Sequence, residues 1–384
     1  MKIKYTKLPP ALPKFYKYVK ENLLFRVKGN NLEAQFAART CTRCGACLQK
    51  CPSFRALKSE VYSPRGRSQL VRCLYEGKLD PARDKKDILN SSQSCLMCGA
   101  CSAFCPAQTP VADLMFFLNS VLGKKSLKLS VRLKNIFLLP FAKLKIKKAL
   151  KNQPDLKEEI IFVPSCYSCV NIKKTVEYLN FSGFKVKADF SLIQAADYYF
   201  TANYPKLKKC FVNLNKNSLK NSKIVTDCAE TYALLKKAQL LGEEFKEIPL
   251  KVCFITQFIK TSKHFKQDLK DKTVLLCRTC NAPDAQELNE QTENLLYCPK
   301  KLFLIKCNQS SRMSPAAAAV RTRIKGSNLL LQQTAEYLQE ERPDYLITLS
   351  YTDEMFFKQL IKKYKLNIKV LHTLNIPQEF YAER

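Results

Sequence analysis

Eight cysteines in the first third of the chain have the type and spacing to hold iron. Cys41, Cys44, Cys47 and Cys51 are followed by Pro52, and Cys95, Cys98, Cys101 and Cys105 by Pro106. Both phrases read C-x2-C-x2-C-x3-C-P around a Cys-Gly-Ala-Cys centre, the spacing that wraps thiolates around a cubane [4Fe–4S] cluster. Three thiolates at steps of three cover one corner of a cube on a short loop, and the fourth reaches the other cube. That rule assigns Cys41, Cys44, Cys47 and Cys105 to one cluster, and Cys95, Cys98, Cys101 and Cys51 to the second. Gly45 and Gly99 let the backbone approach each cube, and Pro52 and Pro106 turn the chain away. Zinc is the weaker reading, because paired Cys-x2-Cys sites leave the third cysteine of each run without a purpose. The chemistry implied is one-electron transfer.

The positioning elements follow from what surrounds the loops. A helix over roughly Asn31 to Arg39 leads into the first. Between the loops, Ser63 is an N-cap and Pro64 suits the first helical position. That helix runs to Glu76 with Leu70, Val71 and Leu74 on one face, and Gly77 ends it. Arg65 and Arg67 lie in its first turn, placed to ease electron addition to a cluster or to dock an acidic partner. Cys73 falls near the apolar face and reads as a small buried hydrophobe. A further helix spans Asp113 to Ser120.

Residues 121–153 hold ten Lys or Arg interleaved with apolar residues, and no acid stands between Asp113 and Asp155. The segment reads either as a lysine-rich linker or as an amphipathic stretch for an anionic surface. From Glu159 the pattern becomes α/β. Strands at 160–163, 184–186 and 224–226 alternate with helices, and a second round has strands at 273–276, 345–348 and 368–371. Its long helix is expected at about 317–341. Cys166 with Cys169 and Cys277 with Cys280 head the two rounds, which implies an internal duplication with parallel strands.

The order of the first cysteine phrase, Ser63-Pro64-Arg65-Gly66-Arg67 and the second phrase resembles the iron–sulfur subunit of glycolate oxidase and related lactate-oxidising complexes. Related modules occur in anaerobic glycerol-3-phosphate dehydrogenase and heterodisulfide reductase. The resemblance implies an α+β protein: a helical two-cluster ferredoxin domain (residues 1–120), a basic segment (121–157), then two cysteine-rich α/β repeats (158–271 and 272–384). It also implies electrons arriving from an FAD-containing dehydrogenase subunit and leaving towards membrane quinone. The repeats depart from the family pattern. Ala195 to Tyr199 stand where Cys-Cys-Gly is expected, Thr231 follows Cys228, and Ser350 and Asp353 replace the later pair. Cys166, Cys228, Cys277 and Cys307 are the candidates for a third metal site, against a reading as buried thiols of a decayed one. Cys210, Cys253 and Cys298 read as structural.

Composition narrows the rest. The chain has 384 residues, 18 cysteines, nine glycines and two histidines. No Gly-x-Gly-x-x-Gly or Gly-x4-Gly-Lys-Ser/Thr cradle is present, so flavin and nicotinamide are expected on a partner. His264 and His372 make a haem site or histidine base a poor reading. The N-terminus lacks an apolar core of a signal peptide and no stretch is long enough to span a bilayer, which places the chain in a reducing cytoplasm, at most peripheral to the inner face of the membrane. A net charge of +32 suggests nucleic acid, but the lysines are spread along the chain and the cysteine phrases are those of electron carriers.

Overall fold

The structure is a computed structural model that describes residues 24–27, 30–125, 129–165, 167–218, 222–248, 251–259, 272–277, 286–296, 303–305 and 327–381. The fold is α+β, with the dicluster segment followed by parallel sheets. At the N-terminal side, β1 (Leu24–Val27) and β2 (Asn30–Glu33) pair antiparallel. The helix expected from Asn31 begins only at Ala34, because residues 30–33 are strand, and α1 is Ala34–Arg39. Then come α2 (Pro52–Leu57), α3 (Pro64–Tyr75), α4 (Lys85–Gln93), the single turn α5 (Ala100–Ala103) and α6 (Val111–Leu122). The start of α3 is built as its sequence dictates: the Ser63 hydroxyl accepts from the Gly66 amide at 2.9 Å, and Val71 and Leu74 are buried. Gly77, at φ +70°, closes it.

Helix α6 is the key between the cluster-bearing part and the rest. Every residue from Val111 to Asn119 is buried. Phe116 stacks on Tyr199 with centroids 5.0 Å apart, Phe117 lies 5.9 Å from Tyr204, and Asp113 accepts from Tyr199 and pairs with Lys237 at 2.9 Å. A helix buried all round needs apolar partners on every side, and an aromatic cluster supplies them. The helical part and the first sheet therefore share one hydrophobic core. Helix α7 (Leu129–Ala149) follows, in the segment expected to be linker or amphipathic.

The first repeat contains β3 (Glu158–Phe162), α8 (Ile172–Phe181), β4 (Phe184–Ala188), α9 (Ala195–Phe200), α10 (Tyr204–Ser218), β5 (Lys223–Thr226), α11 (Ala229–Lys236) and β6 (Val252–Phe254). The second contains β7 (Thr273–Cys277), α12 (Gln286–Leu295), β8 (Phe303–Ile305), α13 (Ser327–Glu341), β9 (Tyr345–Thr348), α14 (Tyr351–Tyr364), β10 (Lys369–His372) and α15 (Ile376–Phe380). The sheets run β4-β3-β5-β6 and β8-β7-β9-β10, all parallel. Numbered within each repeat, both have the order 2-1-3-4, which is the duplication expected from the sequence. The helix expected at 317–341 is described from Ser327, and residues 306–326 lie outside the described set.

The repeats meet at the carboxyl ends of their third strands. The Ala229 amide donates to the Leu349 carbonyl at 2.9 Å, and the Ser350 hydroxyl donates to Glu230 at 3.0 Å. At the centre Asp227 is fully buried and accepts from Ser168 (2.6 Å), Tyr351 (2.9 Å) and Thr175 (3.2 Å). His372 lies flat against Tyr351, ring centroids 4.1 Å apart. In open α/β sheets the crevice beyond the strand ends is the usual ligand position. Among the described residues, hydroxyls and a carboxylate stand there.

Burial raises the Asp227 carboxyl to about 6, with the three hydroxyl donors pulling the other way. Between its ordinary value and about 6 the folded chain keeps a proton that the unfolded chain has lost, so this group's contribution falls as pH rises across that window. His372, lowered to about 3 by burial, acts in the opposite sense, so the difference between parent and Asp227→Asn isolates the carboxylate. The Asn variant should gain stability relative to the parent between about pH 4 and pH 6, by up to about 3 kcal/mol, read from urea midpoints. A difference that does not change with pH would refute it.

Candidate iron–sulfur centre

The two cysteine loops share their left-handed positions. Residues three and five of each phrase take the left-handed conformation: Arg43 (φ +60°) and Gly45 (φ +83°) in one, Met97 (φ +52°) and Gly99 (φ +73°) in the other. A left-handed arginine or methionine costs roughly 1–2 kcal/mol. Strain repeated at the third position of both phrases belongs to the wrapping of the loop around what it holds. None of the eight thiols is in a disulfide.

The thiols fall into two adjoining groups. Cys47 is pushed up to about 11, first by burial and then by the charges of Cys41, Cys51 and Cys105. Burial also raises Cys101, whose charged neighbours include Cys95, Cys51 and Cys47, and it raises Cys51, which feels Cys95. Across the phrases Cys51 feels Cys95 and Cys47 feels Cys105, and the two sets adjoin through Cys47, which feels Cys51 and acts on Cys101. Cys44 is the exposed member, lowered chiefly by the Ala46 backbone amide. Among the described residues no three His, Cys, Asp or Glu close around a single metal ion. Cubane ligands each bind a different iron and stand further apart than the ligands of one ion, so an all-thiol set in two groups of this kind fits cubanes.

The arginines between the phrases divide between the groups. Arg65 faces the Cys41, Cys44 and Cys47 side: its charge acts on Cys44, and Cys41 and Cys47 act on it. It stays near the surface, ion-paired to Glu60 at 2.6 Å. Arg67 is 1% exposed and points the other way. Its guanidinium lies 3.8 Å from Cys51 Sγ and donates to the Ser91 carbonyl (3.1 Å) and Ser94 Oγ (2.7 Å). Gly66 makes this fork possible, since a Cβ there would sit 2.2 Å from the Glu60 carbonyl oxygen.

Sequence reasoning missed Lys125. It is one lysine among nine in a basic stretch, and no local signal marks it. In the fold it is buried, its ammonium donates to the Cys95 carbonyl, and burial lowers it to about 8 while Cys95 and Cys98 favour its charge. Thr109, buried within 3.7 Å of Cys105 Sγ and 3.0 Å from Thr40, was also missed. Of the third-site candidates, Cys228 and Cys277 are buried at or just beyond the carboxyl ends of β5 and β7. Cys166 and Cys307 lie outside the described residues, as do Cys280, Cys298 and His264. Cys73, Cys210 and Cys253 are half-buried free thiols.

Comparison with known proteins agrees with this geometry. Residues 37–109 match the 4Fe-4S dicluster domain family. The probable glycolate oxidase iron-sulfur subunit of Bacillus subtilis is 36% identical over 76 residues, 20% of this chain and 16% of that protein. The glycolate oxidase iron-sulfur subunit of Escherichia coli is 28% identical over 100 residues, 26% of this chain and 24% of that protein. The Hdr-like menaquinol oxidoreductase iron-sulfur subunit 2 of Archaeoglobus fulgidus is 28% identical over 102 residues, 23% of this chain and 18% of that protein. The similarity therefore spans a quarter or less of each of these relatives. No solved structure matches. The segment 37–109 is a 4Fe–4S dicluster domain. That domain is of the kind that carries two [4Fe–4S] clusters, and over it the chain is similar to glycolate oxidase iron–sulfur subunits.

A buried cation beside a reducible cluster favours the reduced state, so Lys125→Gln should lower the midpoint potential of one cluster on the order of tens of millivolts. Arg65→Gln, at a wetter position, should move the other by less. EPR-monitored redox titration separates the two. Unchanged midpoints in Lys125→Gln would show that its charge is irrelevant to the cluster.

Proposed function

We propose that this chain is the iron–sulfur electron-transfer subunit of a flavin-linked 2-hydroxy-acid dehydrogenase. It takes electrons from an FAD subunit that oxidises glycolate or lactate and passes them towards the quinone pool, at the inner face of the cell membrane. Cys41, Cys44, Cys47 and Cys105 hold one cluster, and Cys95, Cys98, Cys101 and Cys51 the other. The carrying observation is the order of phrase, Ser63–Arg67 and phrase, with Arg65 and Arg67 each serving one cysteine group. The similarity of the dicluster segment to proteins named as glycolate oxidase iron–sulfur subunits supports the same reading.

When bound, the clusters supply one-electron redox chemistry. The chain's residues set how it is used. Cys44 is exposed and Arg65 lies near the surface beside it, which gives the first group an open edge for a donor. The second group is enclosed, with Cys51 and Cys95 buried beside Arg67 and Lys125. A two-electron donor such as a flavin is matched by two one-electron carriers in adjoining positions. The two parallel-sheet repeats serve as the docking scaffold.

A second reading has one observation in its favour. The Archaeoglobus fulgidus relative is named as a menaquinol oxidoreductase subunit of the heterodisulfide-reductase-like kind, and Cys228 and Cys277 are buried at strand ends, where such a complex would use thiols. Purification of the chain with its bound partners distinguishes the two. The expected result is a flavoprotein in the complex, with glycolate or lactate reducing the clusters only while it is present. Cys228→Ser and Cys277→Ser should leave that reduction intact. Loss of turnover in those variants, or cluster reduction by the acid without any flavin, would contradict the proposal.

A further inference from the structure

Helix α7 is apolar on two opposite faces, and among the described residues only one of them packs on the fold. Ala142 and Ile146 are fully buried, and Leu138 and Leu139 pack on the core. On the other side Leu129, Leu133, Ile136, Phe137, Phe141 and Leu144 are 47% to 76% exposed. These positions recur every three to four residues, so they form one continuous stripe over about 22 Å of helix. Isolated exposed hydrophobes are ordinary on a protein surface; six aligned on one helix face mark a contact site.

We propose that this stripe docks the chain on an anionic phospholipid bilayer. Charge complementarity selects that occupant. No acidic residue occurs between Asp113 and Asp155, the exposed Lys145, Lys147 and Lys148 crowd the end of the stripe, and the chain as a whole is +32. The six exposed side chains of the stripe are all apolar. That suits acyl chains, which need no hydrogen bonds, with lysines reaching back to the headgroups. No helix among the described residues is long and apolar enough to cross a membrane, so α7 lies in the interface plane, its inner face held by the protein and its outer face sunk among the lipids. The inference deepens the proposed function by naming the surface that meets the membrane, and rests on that reading only for the bilayer as destination.

The test uses the full chain with its clusters and sedimentation with two vesicle types, phosphatidylcholine alone and phosphatidylcholine with phosphatidylglycerol. The parent should pellet with the anionic vesicles, less so as salt rises, and remain in solution with the neutral ones. The triple variant Ile136→Gln, Phe137→Gln, Leu144→Gln should lose at least about tenfold in binding, as should Lys145→Glu, Lys147→Glu, Lys148→Glu. All six side chains are exposed, and unchanged iron content and EPR signals in the variants show that the fold and the clusters are intact. Parent chain left in solution with anionic vesicles at low salt would overturn the proposal. So would full binding by the glutamine variant, or a change in that variant confined to self-association or to capture of an acidic soluble protein. No flavoprotein enters the assay, so its failure is separate from failure of the proposed dehydrogenase role.

Discussion

Burying iron–sulfur clusters means burying negative charge, and the dicluster part of this chain is arranged around that constraint. Thiolates taken from water are costly unless something positive is near them. Burial raises the thiols of Cys47, Cys51 and Cys101, in line with that cost. Two devices offset it. Ser63 starts a helix from which Arg65 and Arg67 leave in opposite directions, one towards each cysteine group. Lys125 then arrives from beyond α6 to close the enclosed group. Removing one of these cations would leave part of the charge uncompensated in a low-dielectric place, where electrostatic effects are largest.

The same constraint ties the cluster-bearing part to the sheets. Lys125 reaches Cys95 only because α6 is fixed by Phe116 and Phe117 against Tyr199 and Tyr204, and because its own amide donates to the Thr201 carbonyl. The first repeat thus sets an electrostatic feature of the clusters. Further along, the repeats face each other through Asp227, Tyr351 and His372, where related architectures leave room for a ligand. A stacked tyrosine–histidine pair and a triply hydrogen-bonded carboxylate occupy this place. Among the described residues, this cluster ties the two repeats together.

Much of this was legible in the sequence, and the physical reasons are specific. The cysteine loops, the Ser63 cap and the Gly77 stop are local, so spacing alone reveals them. Six of the eight strands in the repeats are legible within a residue or two because buried parallel strands are short apolar runs, whereas β6 and β8, each only three residues long, are not. The β1–β2 hairpin was hidden because Asn30 to Glu33 carry no alternating pattern. Lys125 was hidden because burial of a lysine is decided by tertiary packing, and its neighbours in sequence are ordinary surface lysines. The two faces of α7 were half legible: the mixture of lysine and apolar residues indicated an amphipathic segment, but only the packing of Ala142 and Ile146 shows which apolar face remains outside.

The central claim is that all the iron sits in two cubanes between Cys41 and Cys105. Iron and acid-labile sulfide per chain after anaerobic purification, with EPR of the reduced protein, tests it most directly. Two cubanes give about eight irons, eight sulfides and two cluster spins close enough to interact. About four irons would mean that one cysteine group binds no cubane, and near twelve would mean that Cys228, Cys277 and their partners still hold a cluster.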